Sequence, residues 1–140
     1  MSEGLLVFAM DGERADARAR VFVPELADSW SPHLYLYAGD DDNGARLHAR
    51  FFAPAVGVDE DPATGSACAA LGGYLARRTP RADGRLAWTV EQGVEMGRPS
   101  LLHVSADKRA GEVAAVRVGG ESVVVSEGTL YLRAGAGGLA

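Results

Sequence analysis

Residues 67–76 read Ala-Cys-Ala-Ala-Leu-Gly-Gly-Tyr-Leu-Ala, ten positions without a charge, and Arg77-Arg78 follow directly. This run constrains the fold more than any other part of the chain. A helix that is apolar all round is expected to be buried all round. Its small side chains let strands approach from several directions. Gly72 and Gly73 each cost about 1 kcal/mol against Ala in a helix interior, so close packing has to compensate. The two arginines complement the negative end of the helix dipole. A sheet rolled around one central helix, placed at 64–78, is the expected result.

The surrounding sequence supplies the strands. Residues 4–10, 33–38 and 46–53 alternate or run apolar in the manner of strands, with Gly39 to Gly44 as a turn. Residues 11–32 are ambiguous between strand and short helical pieces, and the balance favours helix. Residues 54–61 read as a loop. After the helix, 85–91, 100–105, 112–118 and 122–131 read as strands, with Gly119-Gly120 as a two-residue hairpin turn. The class is therefore α+β, a single αβ roll with a mixed sheet around a central helix. One domain is expected over residues 1–134, with 135–140 as a Gly-rich tail.

Asp61-Pro62-Ala63-Thr64-Gly65-Ser66 leads into the helix, and local physics allows two readings of it. In one, Asp61 is the N-cap and Pro62 the first helical residue, both favoured on structural grounds alone. In the other, Asp61 and Pro62 belong to the loop and Thr64-Gly65-Ser66 opens the helix. The Gly65 and Ser66 amides then face an incoming carboxylate, as helix N-termini favour anions. Gly65 lets a ligand reach the backbone. Asp61 stands beside it to engage an amine, a hydroxyl or a transferred proton.

Composition excludes several function classes. A chain of 140 residues suits one domain with a real core. The net charge of −5 and pI near 5.1 argue against nucleic acid or an anionic membrane as partner. No segment has the length and apolarity of a membrane span. The one cysteine, Cys68, rules out an internal disulfide and fits a cytoplasmic setting. It reads as a core residue, although a first-turn position could lower its pKa. His33, His48 and His103 lack metal-ligand spacing. The Asp40-Asp41-Asp42-Asn43-Gly44 turn has Phe51 where a calcium loop needs its twelfth-position glutamate. Trp30 and Trp88 read as packing residues. Arg98 could bind a carboxylate or fix a turn by a salt bridge, and Glu60 could tune Asp61 or face water. No nucleotide-binding motif is present, and no cofactor is expected.

Three blocks together resemble one family: FFAPAVGVDEDPATGSACAALGGYL, then QGVEMGRPS at 92–100, then VRVGGESVVVSEGTLYL. They are similar to the PhzF-like isomerases and epimerases of phenazine biosynthesis, related in fold to diaminopimelate epimerase, over about residues 33–132. The resemblance implies two αβ rolls with an active site between them. It implies Asp61 as a catalytic residue that orients substrate and assists proton transfer. It also implies Thr64, Gly65 and Ser66 as substrate-binding residues, the last two holding a carboxylate through their amides. Thr64 aligns with a catalytic cysteine of the diaminopimelate epimerase branch, so a two-cysteine racemase mechanism is not expected.

Only the C-terminal roll of that family is matched. Its N-terminal roll, with a catalytic glutamate and a Gly-His helix start, has no counterpart among Glu3, Glu13 or Glu25. The reading that follows is one half of a split isomerase, completed by a separate N-terminal-half subunit. Self-association into a homodimer, or a non-catalytic domain binding small carboxylates or another protein, is the alternative.

Overall fold

The computed structural model describes residues 5–10, 33–39 and 43–131, with backbone alone for the first of these segments. The strands are β1 (Leu5–Met10), β2 (His33–Ala38), β3 (Arg46–Ala53), β4 (Val58–Asp61), β5 (Gly84–Gln92), β6 (Ser100–Arg109) and β7 (Glu112–Gly120). The helix α1 spans Gly65–Arg78 between β4 and β5. One mixed sheet runs β1-β2-β3-β5-β6-β7, with β4 pairing β3 off that path. The pairs β1–β2 and β3–β5 are parallel, and the others antiparallel. The expected α+β roll is therefore observed. The expectation for residues 11–32 and Trp30, and most of the acidic turn, lies outside the described residues.

Strict alternation builds the inner face. Leu47, Ala49 and Phe51 of β3, Leu86, Trp88 and Val90 of β5, and Leu102, Val104 and Ala106 of β6 join Leu71 and Leu75 of the helix in one core. The helix is buried on one face only, through Ala67, Cys68, Leu71, Gly72, Leu75 and Ala76. Ala70 is exposed and Tyr74 is 38% exposed, which corrects the expectation of burial all round. The reason is geometric: β5, β6 and β7 pack on one side of α1, and an uncharged surface need not be a covered one. At its far end, the buried Lys108 ammonium donates to the Thr79 carbonyl at 2.9 Å, a cation where the dipole favours one.

Three turn assignments differ from expectation. Residues 54–61 are not a plain loop: a 3-10 turn at Pro54–Val56 ends at left-handed Gly57 (φ 78°), and β4 returns along β3. Gly119 and Gly120 are not a hairpin but extended residues of β7, opposite His103 and Leu102. The tight turn lies instead at Ala110-Gly111, both at positive φ (50° and 85°), as a two-residue hairpin requires. Residues 121–131 form no strand, and their side chains are exposed.

Candidate functional site

Strand β3 gives one edge to two neighbours in succession. Residues 46–49 pair with β5, whereas Phe51 and Ala53 pair with β4. The two neighbours therefore end side by side, with Asp61 opposite Phe51 and Gln92 opposite Ala49. Gln92 continues the inward alternation of Leu86, Trp88 and Val90, and it is fully buried. A buried carboxamide needs partners for two donors and two acceptor positions. It finds three of them in the turn that opens the helix and the fourth on β2. Its Nε2 donates to the Asp61 carbonyl at 2.6 Å and to Thr64 Oγ1 at 3.0 Å. Its Oε1 accepts from the Thr64 amide at 3.4 Å and from the Tyr35 hydroxyl at 3.1 Å.

Thr64 is the N-cap, yet its side chain makes no capping hydrogen bond. Having accepted from Gln92, its hydroxyl donates to Asp61 Oδ2 at 2.5 Å. Asp61 closes β4 and lies three residues before the N-cap, so it is not the cap. Of the two local readings, the structure takes the one in which Thr64-Gly65-Ser66 opens the helix. Gly65 and Ser66 are exposed, and a Cβ added at Gly65 would meet nothing within 4 Å. Beside them lies a cavity of about 580 Å³, lined by Ala63, Gly65, Ser100, Leu102, His103 and Glu121 among others. That volume lies within the roughly 300–1,000 Å³ of small-molecule sites.

The loop is also held from outside. Arg50 donates to both oxygens of Glu60, at 2.9 and 2.8 Å, so Glu60 pins β4 rather than facing water. Hydrogen bonding to Glu60 holds the Arg50 guanidinium above its ordinary pKa. His48 Nε2 lies 2.6 Å from Glu95 Oε1, and Arg50 Nε lies 3.9 Å from Glu95 Oε2. Burial pushes the Glu95 carboxyl up, but His48, a backbone amide and Arg50 outweigh it and hold it below its usual range. His48 is thus hydrogen-bonded to Glu95 on the outer sheet face. Arg98 is exposed, and among the described residues it makes no salt bridge; its turn is fixed by its amide donating to the Gly93 carbonyl at 2.9 Å.

Cys68 lies on the buried face one turn into the helix and shares a hydrogen bond with Tyr35. Burial pushes its thiol up to about 12, against a smaller opposing effect of that bond. A thiol so held stays protonated, which removes the reactive-cysteine reading. Tyr35 is likewise shifted upward by burial. His103 sits 3.4 Å from the Thr89 hydroxyl, and Trp88 is a core residue. Among the described residues, no helix is long and apolar enough to cross a membrane.

An αβ roll whose central helix opens beside a carboxylate held by Thr64, with Gly65 and Ser66 exposed at its first turn, is the class of structure defined here. Comparison with known sequences places it within a family. Residues 33–128 match the phenazine biosynthesis-like protein family, and the chain belongs to that family. It is 37% identical over 102 residues to an uncharacterized isomerase of Mesorhizobium japonicum, covering 73% of this chain and 33% of the relative. It is 44% identical over 89 residues to the trans-2,3-dihydro-3-hydroxyanthranilate isomerase of Pseudomonas chlororaphis, covering 64% and 32%. With the isomerase of the same name from Pseudomonas aeruginosa it shares 37% over 126 residues, covering 90% and 42%. The chain spans between 32% and 42% of the length of these relatives.

Proposed function

We propose that this roll is one wall of an isomerase site. The exposed amides of Gly65 and Ser66 hold a substrate carboxylate, with Thr64 bounding the same turn, and the cavity beside Gly65 takes the body of the molecule. Asp61 orients the substrate and assists proton transfer. The reaction is a cofactor-independent shift of a proton and a double bond: a C–H proton leaves, the double bond migrates, and a proton returns at another carbon. A second proton-transfer group within hydrogen-bond reach of the reacting carbon is needed. A separate roll corresponding to the N-terminal half of the relatives supplies it. The substrate class is a small unsaturated carboxylic acid, of which trans-2,3-dihydro-3-hydroxyanthranilate, named in two relatives, is the first to test. The setting is cytoplasmic.

The observation that carries this reading is that Asp61 is not used to cap the helix. Its carboxylate is held by Thr64 while Gly65 and Ser66, the first residues of the helix, stay exposed. Titrating the isotopically labelled chain with benzoate and with the dihydroanthranilate tests it. Saturable amide shifts centred on Gly65 and Ser66, and isomerisation when the missing roll is added, are expected. Shifts confined to other surfaces would sink the carboxylate site. Binding without turnover in the completed assembly would leave the non-catalytic carboxylate-binding domain.

A further inference from the structure

Thr64 begins the helix without doing what an N-cap threonine usually does. A hydroxyl at that position ordinarily accepts a hydrogen bond from an amide of the first turn, yet the Thr64 side chain makes no capping bond. The residue is buried, and its hydroxyl accepts from Gln92 Nε2 at 3.0 Å and donates to Asp61 Oδ2 at 2.5 Å. A hydroxyl has a single proton. With Nε2 directed at the oxygen, that proton is committed to Asp61.

The groups behind this bond are fixed in turn. The Tyr35 hydroxyl and the Thr64 amide both donate to Gln92 Oε1, which leaves the carboxamide one orientation. The Asp61 carbonyl accepts from the same carboxamide at 2.6 Å. Gly93, at φ 81°, lies against the next residue: a Cβ there would come within 2.9 Å of Pro62 Cα. The backbone around Asp61 is therefore held, and the freedom left to it is rotation of its side chain. The Thr64 hydroxyl restricts that rotation and makes the two carboxylate oxygens unequal. Oδ2 faces a donor. Oδ1 has no hydrogen-bond or ion-pair partner among the described residues, and it is not sealed from solvent. Protonating Oδ2 would set one donor against another, whereas Oδ1 takes a proton without disturbing the chain of bonds.

We propose that Thr64, oriented by Gln92, is a positioning residue that fixes Asp61 by Oδ2 and leaves Oδ1 as the oxygen through which Asp61 works. This rests on the preceding reading of Asp61 as a proton-transfer group. A proton that Asp61 takes from a substrate carbon forms its bond to Oδ1, the C–H electron pair stays with the substrate, and the proton later leaves from the same oxygen. Thr64 has no proton left to offer a ligand, so its side chain acts through Asp61 rather than on the substrate. A carboxylate free to rotate would present either oxygen or neither, and a misplacement of about 1 Å in a reacting group costs up to about 10²-fold in rate.

The test reads the rotamer of Asp61 from its three-bond Hα–Hβ couplings in the isotopically labelled full chain. The unsubstituted chain and Thr64→Ser should show one staggered rotamer, and Thr64→Val an average of several. An averaged rotamer in the unsubstituted chain overturns the proposal without recourse to any variant. A single rotamer in Thr64→Val also overturns it, since packing would then be the restraint. In the two-roll assembly, kcat of Thr64→Val should fall about tenfold or more while KM changes by less than about threefold. Thr64→Ser, which restores the hydroxyl, should recover most of that loss. A raised KM with kcat unchanged would make Thr64 a substrate contact and overturn its positioning role. The couplings are read without substrate or second roll. An assembly that turns nothing over therefore sinks the preceding reading, while the couplings still decide what holds Asp61.

Discussion

The carboxamide of Gln92 donates to the Thr64 hydroxyl at 3.0 Å, which leaves that hydroxyl's proton to point at Asp61 Oδ2, 2.5 Å away. The assignment of the Gln92 atoms is forced, because the Thr64 amide can only donate and the Asp61 carbonyl can only accept. Gln92→Leu strands the Asp61 carbonyl, the Thr64 amide and the Tyr35 hydroxyl together. At about 1–3 kcal/mol for each buried unsatisfied group, even partial relaxation leaves a loss of roughly 3 kcal/mol. Thr64→Val removes two of these hydrogen bonds, from Gln92 Nε2 and to Asp61 Oδ2, and leaves one Gln92 N–H unpaired, at about 2 kcal/mol. Urea unfolding should rank them in that order.

Gly65 should show the opposite balance. With no atom within 4 Å of a Cβ there, Gly65→Ala fits without strain and reduces the freedom of the unfolded chain. Stability should stay level or rise by up to about 1 kcal/mol. The added methyl stands at the first helical turn, where the carboxylate is proposed to approach. Benzoate affinity should therefore fall at least tenfold while the melting temperature holds. Unchanged affinity would place the carboxylate elsewhere.

Asp61→Asn separates the site from the scaffold in the same way. An amide oxygen still accepts from Thr64, so the melting temperature should move by less than the equivalent of about 1 kcal/mol. Turnover in the completed two-roll assembly should nevertheless be lost. A large fall in melting temperature with activity retained would make Asp61 a structural residue only.

The helix and the Asp61–Ser66 step were legible because they are local: composition, capping chemistry and glycine placement all lie within about twenty residues. Gln92 was not legible as part of the site. Its role depends on β4 and β5 sharing one edge of β3, a relation among strands up to 46 positions apart. One signal was available: Gln92 occupies the inward parity of Leu86, Trp88 and Val90, and a polar residue continuing an apolar alternation requires a buried partner. The Gly119-Gly120 step misled because glycine permits a hairpin without compelling one. Ala110 adopts positive φ with its amide held by Asp83 Oδ1 at 2.8 Å, a restraint arising 27 residues away. Residues 121–131 have strand composition, but propensity without a pairing partner makes no strand, and they form none.

Alkaline pH should loosen the core beneath the site. Burial raises the Cys68 thiol from 9.0 to about 12 and also raises Tyr35. Above pH 9 the unfolded chain releases the thiol proton while the folded chain retains it. Stability is therefore complete below pH 9 and declines from there toward about 12. The slope is about 1.4 kcal/mol per pH unit for each such group. Cys68→Ala should flatten the first part of the decline, measured as melting temperature against pH between 8 and about 11. A profile identical to that of the unmodified chain would remove the thiol as its cause.

Two adjacent helix glycines should respond in opposite directions to the same substitution. A Cβ at Gly72 would overlap the Val104 Cγ2 methyl on β6, whereas one at Gly73 would sit 3.7 Å from Val116 Cγ2, an ordinary contact. Alanine gains about 1 kcal/mol over glycine in a helix interior. At Gly73 nothing opposes that gain, and Gly73→Ala should stabilise by about that amount. At Gly72, displacing a buried valine in a packed sheet costs about 1–3 kcal/mol, which cancels or outweighs the gain. Pairing Gly72→Ala with Val104→Ala should recover part of the loss, because the two residues compete for the same space. If Gly72→Ala stabilises as much as Gly73→Ala, the helix does not approach β6 as closely as described. The support beneath the Asp61–Ser66 turn would then be looser than the hydrogen bonds of Gln92 imply.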